Sequence, residues 1–203
     1  MPPLNMQQIR NFIDKPVVKV ITGMRRTGKS ALLEMTRDEL VQRGVSMENT
    51  FYANFESLRY EKLRDYRVLY ETVTQAADAT DGKLYILLDE IQEVPEWEKA
   101  VNSFRVDFDC DIFITGSNAK LLAGEHATLL ADRYVEIRVY PLSFAEYLDF
   151  ANANEAGAAR SQQEHFSDNL RFGGLPGIHR MKWEELLIMQ YLADIYRSVL
   201  DSC

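Results

Sequence analysis

Eight consecutive residues, Gly23-Met24-Arg25-Arg26-Thr27-Gly28-Lys29-Ser30, carry the spacing G-x-x-x-x-G-K-[ST]. In such a loop the glycines let the backbone wrap closely around an anion, while main-chain N–H groups at a helix start point toward its oxygens. Gly23 through Ala31 are therefore the residues expected to hold a polyphosphate. Lys29 would neutralise the β- and γ-phosphates, and the Ser30 hydroxyl would ligate Mg²⁺. Arg25 and Arg26 occupy variable positions of the loop and reach either phosphate or solvent.

A second chemical element is the apolar run Leu84-Tyr85-Ile86-Leu87-Leu88 ending in Asp89 and Glu90. In this setting Asp89 serves the metal, and Glu90 takes a proton from the attacking water as general base. An acidic pair after a strand also reads as a cap for the following turn; beside the phosphate loop the chemical reading prevails. The pair favours water over another phosphate acceptor, which places a small-molecule kinase behind an ATPase. A nucleotide-gated switch with negligible hydrolysis is the main alternative. No N-K-x-D motif supports guanine, so ATP with Mg²⁺ is the expected ligand.

A third element is Ile112-Phe113-Ile114-Thr115-Gly116-Ser117-Asn118, a strand ending in small polar residues. Asn118 either senses the γ-phosphate and orients water or caps a helix over 119–122. His126, His165 and His179 share no ligand spacing, and Cys110 and Cys203 stand far apart, so no structural zinc site is expected.

These residues need a scaffold, and the pattern supplies one. Strands are expected at 17–21, 51–55, 85–88, 112–114 and 134–139, with helices at 31–43, 59–78 and 97–106 between them. Alternation of this kind implies an α/β fold with a mostly parallel five-stranded sheet flanked by helices. Ser143 is expected to cap a helix over 144–150, after which no convincing strand follows. The expected division is an α/β domain over 1–150 and a small helical lid region over 151–203. The last helix, from Trp183 onward, runs to the final residue with no stop signal, as in a truncated protein.

Composition agrees with a globular chain. Of 203 residues, 46% are hydrophobic and 27% charged, and 23 Lys+Arg against 31 Asp+Glu give a net charge of −8. That acidic balance argues against whole-surface affinity for nucleic acid, and no nucleic-acid-reading motif is present. No apolar run approaches the roughly 20 residues of a membrane span, and the N-terminus lacks a signal pattern, so a cytoplasmic location is the default expectation.

The stretches over 21–30, 87–92, 114–119, 133–137 and 140–147, with Gly173-Gly174-Leu175-Pro176-Gly177, resemble those of the uncharacterised AAA-domain P-loop ATPases of bacteria and archaea. The resemblance covers nearly the whole chain. It implies an additional-strand, AAA-like sheet, a helical lid, and in full-length members a further C-terminal domain through which a protein partner could act. It places a charge-stabilising arginine at Arg133, whose alternative is a surface salt bridge with Asp132 or Glu136. It raises the prospect of a homo-oligomer, makes the 173–177 segment a hinge, and assigns Asn54 to hold Glu90 inactive.

Overall fold

In a computed structural model, whose described residues are 3–116, 133–153, 160–181 and 184–200, the expected runs form five strands, of which the three central ones are buried on both faces. They are β1 (Val18–Gly23), β2 (Thr50–Asn54), β3 (Leu84–Asp89), β4 (Cys110–Gly116) and β5 (Tyr134–Val139). All pair in parallel, in the order β2-β3-β4-β1-β5.

Because side chains alternate across a strand, each run feeds two cores. Val18 and Val20, Leu84, Ile86 and Leu88, and Ile112 and Ile114 pack on one face with helices α3 (Tyr66–Asp78) and α4 (Trp97–Asp107), through Leu69, Val73, Trp97 and Phe104. Ile21, Tyr85, Leu87 and Phe113 pack on the other face with α1 (Pro3–Phe12) and α2 (Lys29–Gln42), through Ile9, Leu32, Leu33 and Leu40. The inserted strand β4 lies between β1 and β3, which places the phosphate loop and the acidic pair two strands apart on one edge of the sheet.

Three features depart from the sequence expectations. The helix expected over 59–78 is two elements, a 3₁₀ segment Leu58–Arg64 and then α3. The guanidinium of Arg64 donates to the Phe55 carbonyl from Nε at 3.1 Å, and Asp65 caps α3 by accepting from the Arg67 N–H at 2.8 Å. Helix α1 was not foreseen. Its Met6 and Ile9, with Ile13 just beyond, cover the sheet. Third, β1 buries a charge: Lys19 is fully buried and pairs with Asp111 at the start of β4, while its Nζ also donates to the Lys15 carbonyl at 2.8 Å. Asp111 in turn accepts from the Asp14 N–H at 2.7 Å. A buried pair of this kind is better tolerated when each member has a further hydrogen bond, as Lys19 and Asp111 have here.

Residues 3–139 form one compact unit, and the chain from Tyr140 onward forms another. The end of the strand pattern suggests a division at 150. Helix α5 (Phe144–Asn152) belongs instead to the second unit, because its Tyr147 packs with Leu142, Phe172, Leu175, Ile178, Ile188 and Ile195. Ser143 caps α5 in a reciprocal box with Glu146, as expected, and Ser161 does the same with Glu164 for α6 (Gln162–Phe172). The last helix, α7, runs Glu185–Leu200. No helix among the described residues is long and apolar enough to cross a membrane.

The 173–177 segment is a close-packed connection within this unit. A Cβ on Gly174 would fall 2.2 Å from the Leu142 carbonyl oxygen, and the Leu142 N–H donates to the Gly174 carbonyl at 2.7 Å.

The second unit also buries His165 and His179 against Tyr147, the His179 ring lying 4.5 Å from that of Tyr147, centroid to centroid. Asp168, paired with Arg160 at 2.6 Å, is the nearby charge pair on the Tyr147 side. Burial, and then the neighbouring His165, push the His179 imidazole down to about 4 from its ordinary 6.5. The unfolded chain therefore binds this proton more readily than the folded one. Its contribution is present in full above pH 6.5 and is lost as pH falls toward 4, up to about 3 kcal/mol. The protection factors of the α5 and α6 amides, which correct for the intrinsic pH dependence of exchange, should fall over that window, and His179→Phe should flatten the dependence.

Candidate functional site

With every strand parallel, the C-terminal ends of β1, β2, β3 and β4 share one edge. The register pairs Asn54 with Asp89, Leu88 with Ile114, and Thr22 with Gly116. The phosphate-type loop, the acidic pair and the polar tip of β4 therefore converge by topology alone.

The loop backbone has left-handed conformations at Arg26 (φ 66°) and Gly28 (φ 100°), and Gly23 has φ 152°. A side chain at Gly23 is excluded, since its Cβ would lie 2.4 Å from the Val139 carbonyl oxygen. Thr27 closes the loop by donating from Oγ1 to the Met24 carbonyl at 2.8 Å. Helix α2 begins at Lys29, directly after Gly28, so its first N–H groups have no carbonyl one turn earlier to bond and are available to an anion. Lys29 is buried to 4% exposure, and its Nζ lies 3.3 Å from the Met24 carbonyl and 3.4 Å from Glu90 Oε1. Met24, Arg25 and Ala31 are exposed, and Ser30 is half-buried at the helix start.

Asp89 is fully buried at the end of β3. Thr115 donates to its Oδ1 at 2.5 Å, Asn54 Nδ2 donates to its Oδ2 at 2.9 Å, and the Ser30 side chain also hydrogen-bonds it. Burial raises its pKa above the ordinary carboxylate value, the charges of Glu90 and Glu56 add to that, and the bonds from Thr115 and Ser30 oppose it. A desolvated carboxylate beside a hydroxyl is the donor set of a hard divalent cation, which restores the charge balance that burial removes. Ser30 and Asp89 therefore fit Mg²⁺.

Glu90 follows with φ 53°, a left-handed conformation that turns its side chain out of the strand. Its N–H donates to Thr115 Oγ1 at 2.9 Å, and Gln92 Nε2 donates to its Oε2 at 2.6 Å. Thr115 thus bridges the two acidic residues, with its hydroxyl bonded to the side chain of one and the backbone of the other.

The structure brings together Lys29, Ser30, Asp89 and Glu90 with the loop. It does not bring Arg133 to them. The Arg133 carbonyl accepts from the N–H of Val18, the first residue of β1, at 2.9 Å, and Gly23 pairs with Val139 at the far end of β5. That separation is about 16 Å along the strand. Among the described residues Arg133 makes no ion pair with Glu136, whose carboxylate instead accepts from Thr22 Oγ1 at 2.5 Å. Asp132 and Asn118 lie outside the described residues. Asn54, expected to restrain Glu90, bonds Asp89 instead and closes its own turn by accepting from the Glu56 N–H at 2.9 Å. Thr115 and Gln92 were not singled out from the sequence, although each lies inside a motif that was.

A family model described as an AAA domain matches residues 15–148, which includes every strand of the sheet. The chain belongs to the AAA-domain family. This AAA domain is 43% identical over 195 residues to an uncharacterized protein of Haemophilus influenzae, covering 96% of the chain and 48% of that protein. It is 32% identical over 193 residues to the uncharacterized protein MJ1544 of Methanocaldococcus jannaschii, covering 91% of the chain and 42% of that protein. The chain thus spans about half the length of the curated relatives it matches. Among solved structures, the Walker-type ATPase paby2304 of Pyrococcus abyssi superposes with a TM-score of 0.64 at 13% identity, over 100% of this chain and 73% of that one. AMPPCP-bound DnaA from Aquifex aeolicus superposes with a TM-score of 0.51 at 14% identity, over 90% of this chain and 65% of that one. At these identities the likeness is one of fold, an AAA-type P-loop sheet.

Proposed function

We propose that this AAA domain binds ATP with Mg²⁺ and hydrolyses it at the edge formed by β1, β3 and β4. The observation that carries the reading is the meeting of Lys29, Asp89 and Glu90 beside a helix start whose N–H groups are free to meet an anion. The ATP analogue bound by the fold neighbour DnaA adds support for the nucleotide class.

In this reading the loop amides and Lys29 hold the β- and γ-phosphates, and Ser30 and Asp89 hold Mg²⁺, which when bound neutralises charge on the same oxygens. Glu90 accepts a proton from water as the water oxygen bonds to the γ-phosphorus. The bond from that phosphorus to the bridging oxygen breaks, and ADP leaves with the electron pair. Thr115 holds Asp89 and Glu90 in register through one hydroxyl. Preorganised dipoles of this kind act where charge develops, with little reorganisation. Arg133 lies too far from this site to serve it within one chain, so any part it takes in the reaction requires a second copy.

One observation favours a nucleotide-gated switch as the second reading: both carboxylate oxygens of Glu90 already have protein partners, Lys29 and Gln92. A thermal-shift titration with ATP·Mg²⁺, GTP·Mg²⁺ and ATP plus chelator tests the binding claim common to both. At 100 times the dissociation constant, ATP·Mg²⁺ should stabilise the protein by about 2.7 kcal/mol. The chelated nucleotide and GTP·Mg²⁺ should give less. No shift with ATP·Mg²⁺ would refute the site.

A further inference from the structure

The two oxygens of Glu90 have partners of different kinds. Oε1 faces the Lys29 ammonium at 3.4 Å, and Oε2 accepts from Gln92 Nε2 at 2.6 Å. A triphosphate competes for Lys29, whose charge it matches far better than one carboxylate does. It offers a neutral amide no such advantage. Lys29 is thus the exchangeable partner of Glu90, and Gln92 the fixed one.

The setting of Gln92 supports this. It lies in the 3₁₀ turn Ile91–Glu93, whose first residue, Ile91, is fully buried in the sheet core, so the turn is anchored. An ionised carboxylate only accepts, so chemistry alone decides that Nε2 and not Oε1 faces Glu90. The other end of the amide, Oε1, is buried and meets no donor among the described residues. The bond to Glu90 is what orients the amide, at the expense of its own oxygen.

We propose that Gln92 is the positioning residue for Glu90: it pins Oε2 so that, when the triphosphate draws Lys29 away, Oε1 is left facing the attacking water. This rests on the reading of Glu90 as general base. Gln92 exchanges no proton; the proton passes from water to Glu90 as the new O–P bond forms and the bond to the ADP oxygen breaks. Without Gln92 the carboxylate follows Lys29 or rotates, and misplacement of a base by about 1 Å costs up to a hundredfold.

The test is phosphate release at saturating ATP·Mg²⁺, with nucleotide affinity measured alongside, for the unaltered protein, Glu90→Gln, Gln92→Met, Gln92→Glu and the double variant Glu90→Gln/Gln92→Met. Gln92→Met keeps the shape without the donor and should lower kcat about ten- to hundredfold with affinity within twofold. Gln92→Glu, which sets two carboxylates against each other, should lower it at least as far. The double variant should be no slower than Glu90→Gln alone, because a residue that acts through Glu90 has nothing left to position. A general packing role would instead slow both backgrounds and weaken binding, which overturns the inference. An active parent, an inactive Glu90→Gln and a fully active Gln92→Met would overturn it while leaving the reading of Glu90 intact. Equal turnover by the parent and Glu90→Gln would overturn both.

Discussion

Lys29→Ala is expected to abolish measurable ATP binding, the largest single effect in the molecule. The ammonium is buried to 4% exposure at the start of α2, where it is held at 3.4 Å by Glu90 and at 3.3 Å by the Met24 carbonyl. Such a desolvated cation, aimed into a loop of N–H donors, interacts with phosphate oxygens far more strongly than a surface lysine can. Removing one partner of a desolvated charge pair costs about 2–5 kcal/mol, here a loss of about thirtyfold to several thousandfold in affinity. Calorimetric titration with ATP·Mg²⁺ reads this directly. The protein should still fold, since the alanine sits at a helix start and leaves the sheet cores untouched. A dissociation constant within threefold of the parent's would mean that Lys29 does not meet the phosphates.

Glu90→Gln is expected to separate binding from turnover. The amide is nearly isosteric and leaves the backbone bond from the Glu90 N–H to Thr115 in place, so the local fold is retained. It cannot take a proton from water, and loss of a general base lowers turnover about 10²–10⁴-fold. It also removes the carboxylate that competes with the triphosphate for Lys29, and one negative charge beside the phosphates. ATP·Mg²⁺ affinity should therefore rise, while the hydrolysis rate falls by orders of magnitude. Paired affinity and single-turnover measurements check both halves, and a variant that loses affinity together with turnover would contradict this account of the Lys29–Glu90 contact.

What could be read from the sequence divides along a physical line. The loop from Gly23 to Ser30 and the acidic pair after β3 were legible because their chemistry is carried by contiguous residues at fixed spacing. The central strands were legible as apolar runs, since a strand buried on both faces is apolar along its length, and β5 was legible from its alternation of apolar and charged residues, which matches its exposed Glu136 and Arg138. Features that depend on long-range register were not. Thr115 bonds Asp89 across 26 residues, and the partner of Asn54 lies 35 residues away, so nothing local distinguishes Asp89 from Glu90 as that partner. Lys19 breaks the apolar pattern of β1 and is intelligible only beside Asp111, 92 residues on. Arg133 is adjacent to the site in family pattern but a strand length away in space, because it precedes β5 and the loop follows β1. The split of the 58–78 segment depends on Arg64 reaching back to the Phe55 carbonyl, which periodicity does not reveal.

The central claim is that Glu90 activates water against ATP held by Lys29 and the loop. The most direct measurement is single-turnover release of labelled phosphate from γ-labelled ATP with Mg²⁺, comparing the parent protein with Glu90→Gln when both are saturated with nucleotide. The account predicts release by the parent and a rate lower by about 10²-fold or more in the variant, with the label retained as bound ATP. Equal rates in the two proteins, or bound ATP that neither protein cleaves, would contradict it.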